Sequence, residues 1–151
     1  MISKHVNIRE GVYSRTATRL GIENKPDKQQ LENMITVAEE IFEPLRQWVG
    51  GPIKINSFFR SPDLNKAIGG STKSQHCKGQ AIDIDDTFGK ATNAQMYNFI
   101  KENLDFDQII WEFGDDDNPN WVHVSYVSPQ ENRKRCLKAY KLNNKTNYKI
   151  I

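Results

Sequence analysis

Three histidines occur in the chain, His5, His76 and His123, and two of them stand where chemistry is possible. His76 lies in the glycine-bounded stretch GGSTKSQHCKG, and Asp83 follows seven positions later in AIDID. His123 lies in WVHVSY. Two imidazoles and one carboxylate form a common catalytic zinc set, with a fourth position left for water or substrate. Strand alternation agrees with their convergence. Ala81, Asp83 and Asp85 share one face of AIDID, while Ile82 and Ile84 share the other. His123 and Ser125 face away from Val122 and Val124. In DQIIWEF, Gln108, Ile110 and Glu112 oppose Ile109, Trp111 and Phe113. Three strands can thus turn polar groups to one side and keep apolar faces in a core. The same residues have plainer uses. A strand aspartate can be a hydrogen-bonded carboxylate near a turn, and a strand histidine a satisfied side chain at a sheet edge.

These strands need a frame. Residues 6–22 are expected to be helical, with loosely spaced apolar residues. Asp27 and Gln30 form a capping box. Leu31, Met34, Ile35, Ala38, Ile41, Phe42, Leu45 and Trp48 then define one face of an amphipathic helix. Pro44 should kink or split it, and Gly50-Gly51 should end it. Residues 52–59 read as a strand. Ser61-Pro62 opens a short helix that closes at Gly69. Thr92 with Gln95 caps a further helix through about Asn103, and the polar turn GDDDNPN joins the last two strands. Helices come first and strands cluster later, without a βαβ rhythm. The expected class is α+β, a small, mainly antiparallel sheet with helices on one face.

With 151 residues, one domain over residues 1–151 is expected. A net charge of +2 gives no ground for nucleic-acid binding, and no such motif is present. Cys77 and Cys136 form no CxxC pattern and are expected as free thiols. No apolar run is long enough to span a bilayer. The polar start, MISKHVNIREG, lacks the apolar stretch of a secretory signal, so synthesis in the cytoplasm is expected. From Asn132 to Ile151 there are seven Lys or Arg and no acid. This end reads as a solvated strand or turn with a mobile tail; attraction to anionic wall polymers or membrane surfaces is the functional alternative.

SQHCKGQAIDI resembles the S-x-H-x-x-G-x-A-x-D signature of the zinc D-Ala-D-Ala carboxypeptidase and L-alanyl-D-glutamate endopeptidase family. WVHVSY resembles that family's W-x-H segment, and SFFRSPDLNKAIGG its arginine-containing segment. The resemblance runs from about residue 7 to residue 126. It implies a hedgehog-like fold, zinc as cofactor, and ligands at His76, Asp83 and His123. Gly79 would permit the tight backbone between ligands. Arg60 would stabilise charge on the scissile carbonyl or bind a carboxylate, and Ser74 would border the substrate. Cys77 is not used by the family pattern. Many members carry an acid three positions before the last histidine, where this chain has Asn120. Glu112, on the polar strand face among apolar neighbours, is the favoured general base; Asp115, Asp116 and Asp117 are its rivals. The implied activity is hydrolysis of stem peptides in bacterial peptidoglycan by a monomer, as a carboxypeptidase or a phage endolysin released to the wall. The alternatives are a zinc-containing binding module and a phage virion component of the same fold.

Overall fold

The computed structural model describes residues 1–151. Its helices are α1 (Ile8–Val12), α2 (Arg15–Leu20), α3 (Lys28–Val37), α4 (Glu43–Val49), α5 (Pro62–Ala67) and α6 (Asn93–Asn103). Its strands are β1 (Lys54–Ser57), β2 (Ala81–Asp85), β3 (Gln108–Glu112), β4 (Trp121–Ser125), β5 (Arg135–Leu142) and β6 (Lys145–Ile150). All six strands form one sheet in the order β1-β2-β4-β3-β5-β6. Every neighbouring pair is antiparallel except β3 and β5, which run parallel. The α+β class with a mainly antiparallel sheet is therefore observed.

Local chemistry accounts for most boundaries. The Asp27–Gln30 and Thr92–Gln95 capping boxes both form, opening α3 and α6. Gly50 closes α4 in the left-handed conformation, at φ 75. Pro44 neither splits nor sharply breaks the long helix. A π-helical turn, Ala38–Phe42, joins α3 to α4, and the Glu43 amide donates to the Ala38 carbonyl, five residues back. Proline lacks an amide and its ring crowds the carbonyl four residues earlier; the wider turn relieves both problems.

One expected helix over residues 6–22 is instead two. Asn7 caps α1 through a reciprocal box with Glu10, and the Ser14 hydroxyl accepts from the Ala17 amide to start α2. Polar side chains that cap so readily favour a new start over continuation. The strand expected over 52–59 is only Lys54–Ser57, with a register irregularity at Ile55/Ser57. The basic carboxyl end is no mobile tail: β5 and β6 form a hairpin that extends the sheet beyond β3.

The main core lies between one sheet face and the helices. Met34, Val37, Ala38, Ile41 and Leu45 are fully buried, as are Ile82, Ile109, Val122 and Val124 from the sheet and Ile100 from α6. Burial of each such large aliphatic side chain is worth about 1.5–3 kcal/mol. The other sheet face carries a smaller cluster of Ile110, Leu137 and Ala139, with Phe113 packed against it.

Candidate metal centre and active-site cleft

Asp83 and His123 are direct cross-strand partners on β2 and β4. Their side chains leave the sheet away from the main core, because Ile82, Ile84, Val122 and Val124 claim the opposite face. His76 arrives from a 3-10 turn, Gln75–Lys78. That turn is held on several sides. The Ser74 hydroxyl accepts from the His76 amide at 3.2 Å, and the Arg60 amide donates to the His76 carbonyl at 3.2 Å. From α3, Gln30 and Asn33 donate to the carbonyls of Cys77 and Lys78. Gly79 ends the turn at φ 73, and a Cβ there would lie 2.4 Å from the Gln30 carbonyl oxygen. Glycine is required on both counts.

The three side chains converge. His76 Nε2 lies 3.3 Å from Asp83 Oδ2, and His123 Nδ1 lies 2.9 Å from Asp83 Oδ1. One potential ligand atom from each residue lies within 4.8 Å of the others. His76 Nδ1 is 2.7 Å from the Phe58 carbonyl oxygen and must donate to it. The neutral ring then presents a lone pair at Nε2, which is buried and has no hydrogen-bond partner. Burial disfavours protonation of His76, and the neighbouring Asp83 only partly offsets this. Burial also opposes the charge of Asp83, but the imidazoles, when they carry protons, outweigh it and hold the carboxyl below its ordinary range. A cation seated among the three would take the place of those protons. A buried lone pair facing an ionised carboxylate is a suitable seat for a cation. Zinc bonds of about 2.0–2.1 Å at tetrahedral angles put ligand atoms about 3.3 Å apart. The donor set therefore fits a zinc-sized ion.

The group sits in an open cleft of about 840 Å³, roomy enough for several residues of an extended peptide. Arg60, Ser74 and Glu112 all line it. Arg60 Nε is buried without a partner, and Nη1 makes only a 3.5 Å contact with Asn65. Its guanidinium thus keeps donors free. Glu112 is buried and stands opposite Trp121 in the β3–β4 register, one diagonal step from His123. Burial pushes its carboxyl up to about 7; the His123 and Arg60 charges lower it and Asp83 raises it. The rival acids lie elsewhere. Asp115 accepts from the amides of Asp117 and Asn118 within the turn, Asp116 pairs with Lys138, and none of the three lines the cleft. Asn120 is exposed and engages Glu112 through its backbone amide.

Phe113 departs from the expected alternation. With φ 58 it leaves the strand pattern and turns to the cleft side, its ring 5.6 Å from that of Trp121. Two further residues had escaped the sequence reading. Buried Asp107 accepts from Gln75 at 3.0 Å and from Arg133 at 2.9 and 2.8 Å. It ties the turn bearing His76 to β3 and to the entry of the hairpin. Tyr148 lines the cleft from β6. Its signal was the alternation of Thr146, Tyr148 and Ile150 in KTNYKI.

A helix-backed sheet with an imidazole–carboxylate cluster at the floor of a cleft is the architecture of a small α+β, peptidase-like domain. More narrowly, the chain belongs to the peptidase M15 family, whose family model matches residues 4–125. No curated protein matches it.

Proposed function

We propose that the chain is a zinc peptidase that hydrolyses peptide bonds in the stem peptides of bacterial peptidoglycan. The observation that carries this reading is the buried, partnerless Nε2 of His76 facing ionised Asp83, with His123 alongside and Glu112 one step away in the same cleft. His76 Nε2, Asp83 and His123 Nδ1 would hold the ion. Zinc bound there supplies a Lewis acid and lowers the pKa of water toward neutrality. Glu112 accepts a proton from the attacking water and delivers it to the leaving nitrogen as the carbon–nitrogen bond breaks. A carboxyl raised toward neutral pH suits both transfers. Arg60 donates to the oxygen that gains negative charge in the tetrahedral intermediate. Ser74 holds the His76 turn and borders the cleft, where its oxygen is already engaged by an amide.

Membership of a peptidase family and the resemblance of the histidine–aspartate segment support wall peptides as substrate. The deciding experiment is mass spectrometry of purified peptidoglycan after digestion by the zinc-loaded protein. The expected result is one new class of peptide end, which names the bond. Intact stem peptides after exhaustive digestion would refute the reading and favour a zinc-containing binding module.

A further inference from the structure

The family match stops at residue 125, yet the cleft continues past it. Its far wall comes from the carboxyl-terminal hairpin. Glu112 on β3 is paired with Ala139 on β5, and Ala139 with Tyr148 on β6. The three therefore stand in one row across the sheet. Strands are spaced about 4.8 Å apart, so Tyr148 starts about 10 Å from Glu112. Only the methyl of Ala139 lies between them, and it is fully buried. A larger residue there would block the row; alanine lets the phenol lean over it toward the acid. Arg135 and Lys141 point to the same face of β5 as Ala139 and also line the cleft; neither forms an ion pair with an acid. Lys141 Nζ, however, donates to Thr146 Oγ1 at 2.9 Å and lies 5.3 Å from the centre of the Phe113 ring, whereas Arg135 makes no such contact.

We propose that this hairpin is the substrate-recognition wall, with the Tyr148 hydroxyl donating to the backbone of a bound peptide beside Glu112 and Arg135 facing the peptide's free carboxylate. A phenol is protonated at neutral pH, and partial burial with the charges of Glu112 and Asp83 raises its pKa further, so it is a donor. An arginine without an acid partner at the rim favours an anionic peptide over a neutral one. The inference rests on the peptidase reading and adds to it a wall outside the matched residues.

Steady-state kinetics of the full-length, zinc-loaded protein on a synthetic stem peptide test it. Tyr148→Phe keeps the ring and removes only the hydroxyl. Tyr140→Phe is the control, since Tyr140 lies on the opposite face of β5, with Lys149 over its ring. Loss of one substrate hydrogen bond should lower kcat/KM of Tyr148→Phe by about 10- to 100-fold, while Tyr140→Phe stays within about twofold. Zinc content and melting temperature should match in all three proteins. Wild-type kcat/KM in Tyr148→Phe would overturn the proposal and leave the peptidase reading standing. Should Tyr148→Phe melt lower, Arg135→Gln at its exposed position reads the same wall. It should raise KM for a peptide with a free carboxyl end and leave KM for the amidated peptide unchanged; an equal effect on both overturns the proposal. If the wild type cleaves no stem peptide, the peptidase reading fails, and calorimetric binding of that peptide decides. Tenfold weaker binding by Tyr148→Phe supports the wall, and equal or undetectable binding by both proteins overturns it.

Discussion

Glu112 joins burial, which raises its pKa to about 7, to a position beside the His76, Asp83 and His123 cluster, and it is proposed as the general base. The working form of a general base is the carboxylate. Activity should therefore be lost as pH falls through the pKa of Glu112. A bound cation favours the ionised form, so the acidic limb of kcat/KM should lie below the value of about 7 that burial sets without it. Glu112→Gln keeps the shape and removes the proton acceptor. It should lower kcat by about 100- to 10,000-fold, leave zinc bound, and abolish that acidic limb. Asp115→Asn, Asp116→Asn and Asp117→Asn should each cost far less, because Asp115 serves the turn, Asp116 pairs with Lys138 and none of the three lines the cleft. A stopped assay of peptide hydrolysis across pH, run on the four variants, checks all of this. At this scale the sequence was informative where alternation alone sets direction: Asp83, His123 and Glu112 could be assigned to a common face. It was silent on Asp107, because a buried acid is defined by its partners, and Gln75 and Arg133 stand 32 and 26 residues away.

Asp107 also shows how elements hold one another. Its carboxylate joins the His76 turn, the start of β3 and the hairpin entry, while its backbone carbonyl accepts from Arg135. Burial pushes its pKa up, but the hydrogen bonds from Arg133 and Gln75 win and the net shift is downward. A depressed pKa contributes stability that is fully present above the unfolded value of about 3.9 and lost as pH falls through the folded value. Asp107→Asn should accordingly cost about 1.5–3 kcal/mol at neutral pH, and the gap to wild type should close as the solution is acidified below about pH 3.9. Urea unfolding at pH 7 and near pH 3 measures both. An equal gap at the two values would mean that packing, and not charge, holds the junction. Capping boxes and glycine stops made α3, α4 and α6 legible in advance, since caps are local chemistry. The break between α1 and α2 was legible too, in Asn7, Glu10 and Ser14, but loose apolar spacing masked it. The π turn before Pro44 was not, since the choice among kink, split and widened turn depends on the core beneath Ile41 and Phe42.

As a whole, the molecule is one sheet with an apolar core on one face and an open cleft on the other. The class of this architecture follows from sequence periods, but its strand order does not. β4 inserts between β2 and β3, and β5 returns parallel to β3; neither pairing leaves a local trace in the chain. At the carboxyl end the solvated strand was legible but not its full extent: seven cations in twenty residues suggest solvent and a loose tail, while the pairing that orders them is with distant β3. No helix is long and apolar enough to cross a membrane. On the proposed function, one ion gathered by a turn and two strands makes this cleft a peptidase. Zinc titration of chelator-stripped protein tests it most directly, with hydrolysis of a stem peptide as the readout. Wild type should be inactive when stripped and regain full turnover at one equivalent of zinc, and His123→Ala should not recover at that ratio. Full turnover in protein shown to be free of metal, or wild-type recovery by His123→Ala, would contradict the account.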